Sequence, residues 1–254
     1  LTLFALLFIF LAAAIGQTFG VMFGGGGFFV QPALLAAGVE AKQAIANDIA
    51  SAALCSVAFL LTTKTHSAHI RAASMRFAPG LVIGAVIGSY AMTRMPESVV
   101  KWIILGVCTL GFLYIATHFR KKSQIHRDIS FKHWKIALPV AGLVLGLYEG
   151  FIGAGGGILI IMTLSYIMRN DMKSIISMAN WCSLFSLSAA GINYGIQGYL
   201  DWQLMAALVP GCLCAGFMGA KITDYVSEGN LRRVYIIVLS LLLSYLLIKN
   251  LMAI

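Results

Sequence analysis

Charge is scarce in this sequence. Asp, Glu, Lys and Arg make up 11% of its 254 residues, less than half of the ~25% usual in soluble domains. That shortage excludes a soluble globular domain. It also excludes disorder, which needs low hydrophobicity and high net charge. Strict alternation of apolar and polar residues is missing too, which argues against an outer-membrane barrel. Cysteines are few, and Cys55, Cys108, Cys182, Cys212 and Cys214 all lie in apolar runs. With no His or carboxylate cluster around them, they read as unpaired small hydrophobes, the Cys212-x-Cys214 pair included. No HExxH or GxSxG motif is present. His66, His69, His118, His126 and His133 sit in or beside polar loops, so no serine in an apolar segment has a credible base. His66-x2-His69 lacks an acidic or cysteine partner and reads as a solvated loop. No catalytic residue, metal or cofactor is expected, and the chain reads as a non-enzyme.

Apolar residues supply what charge does not. They make up 60% of the chain, and the mean hydropathy is +0.90. A spanning helix takes roughly 20 apolar residues, so the length accommodates on the order of ten spans. The expected fold class is an all-α polytopic membrane protein. Charges and turn residues mark ten apolar segments: 1–22, 27–37, 43–62, 73–93, 98–119, 135–153, 157–168, 174–194, 202–220 and 231–249. The chain starts at Leu1, and residues 1–15 resemble the apolar core of a signal peptide. They lack its basic leader, so they are read as a mature span.

The basic stretch 120–134 divides the chain into two transmembrane repeats, 1–119 and 135–254. An offset of 131 pairs Gly24-Gly25-Gly26 with Gly155-Gly156-Gly157. It also pairs Lys42 with Lys173, Pro79-Gly80 with Pro210-Gly211, Gly88 with Gly219, and Glu97 with Glu228. Agreement at one offset marks a duplication. Five segments per half, an odd number, force the second half to be inverted. Placing loop 120–135 in the cytoplasm puts 14 of the 18 Lys and Arg inside and 4 outside, as the positive-inside rule requires. Both termini are then outside. The same rule accounts for the net charge of +9, so no nucleic acid partner is expected. The basic linker can also attract anionic lipid, although enforcing topology is the simpler role. Nothing in the sequence specifies an oligomeric state.

Segments 27–37 and 157–168 are too short to span, and each begins at a glycine run. Gly16-x3-Gly20-x3-Gly24-Gly25-Gly26-Gly27 leads into the first. Gly142-x3-Gly146-x3-Gly150 and then Gly153-x-Gly155-Gly156-Gly157 lead into the second. The four-residue spacing allows close helix packing. Consecutive glycines break the helix, and free backbone in a membrane must be buried in protein or line a cavity. Amides at the start of the following half-helix suit an anion. Paired broken helices in inverted repeats are a transporter architecture. Packing alone is the bland alternative.

Several motifs are similar to those of a known family. They are the glycine run followed by Pro32, then Pro79-Gly80-x3-Gly84-x3-Gly88, then Gly198-Tyr199-Leu200-Asp201-Trp202 leading to Pro210-Gly211. The polar turns Glu97 to Lys101 and Glu228 to Arg233 belong with them. Together they resemble the sulfite exporter TauE/SafE family over nearly the whole chain. The resemblance implies transport of sulfite, a related sulfur anion or an organosulfonate across the bacterial inner membrane. Where that family commonly has small hydroxyl residues early in the third helix of each half, this chain has Asn47-Asp48 and Asn180-Trp181.

The candidate substrate groups are Gly24, Gly25, Gly26, Gly27, Gly155, Gly156 and Gly157, with Asn47 and Asn180 as amide donors. Gln17, Gln31 and Asn193 are weaker candidates for the same role. Interhelical hydrogen bonding is the alternative for the amides. Glu149 lies just before the second break, where a charge is expensive. It reads equally as a proton carrier or as a structural carboxyl bonded to free amides. Asp48 is a second proton site or a helix cap near the outer surface. Trp181 is a candidate cavity wall and Trp202 an interface anchor. The expected activity is therefore a secondary transporter of a small anion, coupled to protons and working by alternating access. A passive anion channel or uniporter is the alternative.

Overall fold

A computed structural model describes residues 2–64, 68–118, 134–167 and 172–225. The expected tenth segment, residues 120–133 of the linker, and His66, His126 and His133 lie outside the described residues. Among the described residues there are nine helices and no strand. They are α1 (Leu3–Phe23), α2 (Gly27–Ala36), α3 (Ala41–Thr62), α4 (Ala68–Arg94), α5 (Glu97–His118), α6 (Trp134–Phe151), α7 (Gly156–Ile167), α8 (Met172–Ile196) and α9 (Trp202–Tyr225). Each falls on one of the first nine apolar segments. Among the described residues, five regions are long and apolar enough to cross a membrane: α1, α3, Ser74–Arg94 of α4, α8 and α9. Helices α2 and α7 have 10 and 12 residues, a reach of ~15–18 Å, about half of a bilayer core.

Helix ends differ from the expected bounds where side chains intervene. Helix α3 starts two residues early because Glu97 Oε1 accepts the backbone N–H of Ala41 and of Lys42. This satisfies two of the donors that a helix N-terminus leaves free. Helix α9 runs on to Tyr225, so Lys221 and Asp224 lie within the helix and not in a following loop.

Glycine lets the backbones approach. Gly80, Gly84 and Gly88 of α4 lie against the backbones of Pro139, Leu143 and Leu147 on α6. In return Gly142, Gly146 and Gly150 of α6 lie against Phe77, Leu81 and Ala85. Any Cβ at these positions would push the two helices apart. Apolar burial does not by itself bind helices in lipid, so close van der Waals contact carries this interface. The packing reading thus holds for Gly142, Gly146 and Gly150. Outside, Phe4, Ile83, Trp102, Val144 and Ile192 are exposed, as expected for side chains facing lipid.

The main helix contacts map onto one another at the 131-residue offset. It takes α1, α2, α3 and α4 onto α6, α7, α8 and α9. Helix α1 packs on α9 as α6 packs on α4, and α3 packs on α9 as α8 packs on α4. Helices α3 and α8 pack on each other. One polar clasp repeats as well. Lys42 Nζ donates to Thr93 O at 3.0 Å, and Lys173 Nζ donates to Asp224 O at 2.7 Å. Both residues of each clasp are 131 positions from their counterparts.

Loops 38–42, 94–101 and 195–201 meet at one end of the bundle. Asn47 ties the last of them to α3. Its Nδ2 donates to Tyr199 O at 3.2 Å and to Gln43 O at 2.8 Å, and its Oδ1 accepts from Asp201 N at 3.0 Å. Thr93 Oγ1 donates to Gln197 Oε1 at 2.6 Å. Asn47→Ala would leave Asp201 N and Tyr199 O unpaired. Thermal denaturation of the purified protein should show a loss of about 1–2 kcal/mol.

Candidate functional site

The two glycine breaks touch. Helix α1 ends at Gly24, whose φ is +81° and whose N–H bonds Gly20 O at 2.6 Å. The first rungs of α2 are Phe28 N to Gly25 O and Val30 N to Gly26 O. The amides of Gly25, Gly26 and Gly27 therefore lie ahead of the helical ladder. The second break is similar: Gly153 and Gly155 have positive φ, and Ile158 N bonds Gly155 O. A Cβ on Gly24 would collide with the backbone of Gly157 and Ile158, and one on Gly157 would lie 2.6 Å from Gly24 Cα. No other residue type allows this crossing.

Beside it is a cavity of about 50 Å³, room for a few waters or a ligand of a few heavy atoms. Gln17, Gly20, Val21 and Gly24 of the first break line it, with Gly26 and Gly27. Glu149, Gly153 and Gly157 line it from the second break. Helix α3 contributes Asp48, Ile49, Ala52 and Ser56, and α8 contributes Asn180, Ser183 and Leu187. The offset of 131 carries Ile49, Ala52 and Ser56 onto Asn180, Ser183 and Leu187. The two helices thus offer the same stripe at i, i+3 and i+7. In every such pair one residue is polar and the other apolar.

The carboxyls are buried and fully engaged. Asp48 is 2% exposed. Its Oδ1 accepts from Gln17 Nε2 at 2.8 Å and its Oδ2 from Gln31 Nε2 at 3.0 Å. Glu149, also 2% exposed, accepts from Ser183 Oγ at 2.9 Å on Oε1 and from Ser186 Oγ on Oε2. In the first half the acid is on the third helix and its amide partners are on the first and second. In the second half the acid is on the first helix and its hydroxyl partners are on the third. Tyr148 and Tyr194 brace the second break by donating to Ala154 O and Gly150 O at 2.9 and 2.6 Å.

The structure brings most of the sequence-derived candidates together, but it changes several roles. Gly24, Gly26, Gly27, Gly157, Gln17, Asp48, Asn180 and Glu149 line the cavity. Gly25, Gly155, Gly156 and Asn47 are not part of that lining. Gly156 packs under the Glu149 side chain, and Gly155 packs on the Phe28 ring. Asn180 donates to Val21 O at 2.8 Å and to Ile176 O at 2.9 Å. Both its amide hydrogens are spent on carbonyls, so it presents no donor to an anion in this conformation. Gln17 likewise directs its amide nitrogen to Asp48 and presses its Oε1 against Gly20 and Gly26. Asp48 is an acceptor for two glutamines within the bundle, not a cap at the surface. Asn193 donates to Ser89 Oγ at 2.8 Å and joins α8 to α4. Trp181 packs near Phe185, with ring centroids 6.1 Å apart, and is not in the lining. Trp202 is 77% exposed, as an interface anchor would be. Sequence reasoning missed Ser56, Ser183 and Ser186. The offset applied to Ala52 would have pointed to Ser183, which faces the same cavity.

The profile of the family described as "Sulfite exporter TauE/SafE" matches residues 8–246. The chain belongs to that family. Among curated proteins, it is 20% identical over 214 residues to "Probable membrane transporter protein YdhB" of Bacillus subtilis (strain 168), covering 81% of this chain and 84% of that one. It is 21% identical over 254 residues to "Probable membrane transporter protein YunE" of the same organism, covering 91% and 92%. A stretch of 115 residues is 28% identical to "Probable membrane transporter protein MamO" of Magnetospirillum gryphiswaldense, covering 39% of this chain and 18% of that one. No solved structure is a significant match. This TauE/SafE protein is a multi-pass membrane transporter, so a small-molecule substrate and a bilayer environment follow.

Proposed function

We propose that the chain is a proton-coupled exporter of a small sulfur-containing anion, sulfite or an organosulfonate, in a bacterial inner membrane. In this reading residues 1–119 and 135–254 are two inverted halves of five segments each, the ten-segment arrangement read from the sequence. The halves rock about the crossing of the glycine breaks to alternate access. Both termini lie outside and loop 120–135 lies in the cytoplasm.

One observation carries the reading: among the described residues, the lining of the cavity at the junction of the two halves has two carboxyls and no Lys, Arg or His. An anion ~5 Å from an ionised carboxylate is repelled by about 3 kcal/mol at an effective dielectric of 20. Two carboxylates double that cost. Protonation removes the repulsion and turns each carboxyl into a hydrogen-bond donor. The anion therefore enters with protons on Asp48 and Glu149. The amides ahead of α2 and α7 and the positive ends of those helices supply the remaining attraction.

The test is sulfite flux into proteoliposomes containing the purified protein, with and without an imposed pH gradient. Accumulation above equilibrium that depends on the gradient is the expected result. Flux that only follows the anion gradient would favour a channel or uniporter. Absence of sulfite flux would direct the test to organosulfonates.

A further inference from the structure

Gln31, a weaker substrate candidate in the sequence, stands outside the cavity lining. It is fully buried on α2. Its Nε2 donates to Asp48 Oδ2 at 3.0 Å and also to Ile152 O at 2.5 Å. Ile152 directly follows α6, so this carbonyl is one of those a helix C-terminus leaves unpaired. One amide group of the first half therefore satisfies both the proton site of that half and the end of the broken helix of the other half. Its second atom, Oε1, is buried with no hydrogen-bond partner among the described residues. A buried acceptor without a partner is costly, and it marks an arrangement ready to change.

We propose that Gln31 is a latch between the halves, released when Asp48 takes a proton. The inference rests on the reading that Asp48 carries a proton during transport. Asp48 as seen here accepts on both oxygens, the pattern of an ionised carboxylate. A proton on Oδ2 would face the Gln31 amide hydrogens, donor against donor. Rotating the amide by half a turn removes the conflict. Oε1 then accepts from the new O–H and gains the partner it lacks. The same rotation turns Oε1 toward Ile152 O, acceptor against acceptor, so the bond to the second break is lost. Placing the proton on Oδ1 instead would leave Gln31 Oε1 unsatisfied.

The titratable groups facing Asp48 are Glu149 across the cavity and the thiols Cys55, Cys108 and Cys212. None of them is a cation, so none competes with Gln31 for the ionised form of Asp48.

Hydrogen exchange of the segment 152–158 in the purified full chain tests this without any substrate. Rates are compared on either side of neutrality after correction for intrinsic amide chemistry. In the wild type, exchange at this segment should quicken by about tenfold on acidification, the effect of losing one hydrogen bond to a buried group. Gln31→Met should be fast at both pH values, because the latch is absent. Asp48→Ala should be slow at both, because Gln31 keeps Ile152 and has no proton to meet. A merely structural Gln31 would not give these opposite signs. Exchange independent of pH in the wild type, retained pH dependence in Gln31→Met, or fast exchange in Asp48→Ala would each overturn the latch. If Gln31→Met does not fold, the wild type and Asp48→Ala decide it. A protein that shows this exchange pattern but moves no anion refutes the transport reading alone.

Discussion

Gly24→Ala is expected to lose stability and at least tenfold of its sulfite flux. Two costs coincide at this residue. Its φ of +81° lies in the left-handed region, where a Cβ costs roughly 1–2 kcal/mol. The added Cβ also points into the Gly157 and Ile158 backbone, and forcing atoms into a packed site costs about 1–3 kcal/mol more. Gly38→Ala separates the two. Gly38 has φ +88°, but a Cβ added there would meet nothing within 4 Å, so it carries only the backbone cost. Thermal denaturation should therefore show Gly24→Ala as the less stable by roughly 1–3 kcal/mol, and only Gly24→Ala should lose flux. Equal melting temperatures would mean that the contact between the breaks does not support the fold.

The second large effect is expected at Glu149. A gradient of one pH unit is worth about 1.4 kcal/mol per coupled proton, enough for roughly tenfold accumulation of the anion. Glu149→Gln should reduce that gradient-driven accumulation by the roughly tenfold that one proton supplies, leaving the share coupled to Asp48. The fold should survive, because the Ser183 and Ser186 hydroxyls can rotate to accept from an amide as readily as they donate to a carboxylate. Glu149→Ala would instead strand both hydroxyls. The measurement is the accumulation ratio in proteoliposomes, with melting temperature as the control for folding. Proton coupling unchanged in Glu149→Gln would remove Glu149 from the mechanism and leave it a structural link between α6 and α8.

Much of the fold was legible because lipid restricts what a chain can do there. Apolar runs must become helices, and polar turns must end them, so the first nine segments match α1 to α9. Glycine runs also have few uses in that setting, which is why Gly24-Gly25-Gly26 and Gly155-Gly156-Gly157 could be read as a pair of breaks. The acids Asp48 and Glu149 stood out for the same reason, since a charge in an apolar segment is too costly to be incidental.

Side-chain partners were less legible. Asn47 and Asn180 read as equivalent amides, yet their sequence positions differ by 133, not 131. That two-residue shift turns them to different faces. Asn47 is spent on the loop at residues 199–201, and Asn180 reaches a carbonyl of the first break. Ser183 and Ser186 look like ordinary small residues of a packed helix until α6 is laid across them. Gln31 is one polar residue in a ten-residue apolar helix, and its partner in the other half is 121 positions away.

The sequence by itself determined the membrane-embedded helical class, the boundaries of the first nine segments to within a few residues, the recurrence of short motifs at an offset of 131 and the two glycine breaks. These follow from hydropathy, backbone stereochemistry and local spacing, which act over a few turns of helix. Only the tertiary structure decided which helix faces which, that the breaks cross at Gly24 and Gly157, and that Asp48 is held by glutamines and Glu149 by serines. Those choices depend on helix rotation and on backbone approach at glycine contacts. A turn of one residue moves a side chain by about 100° around the helix axis, and no local pattern fixes that angle.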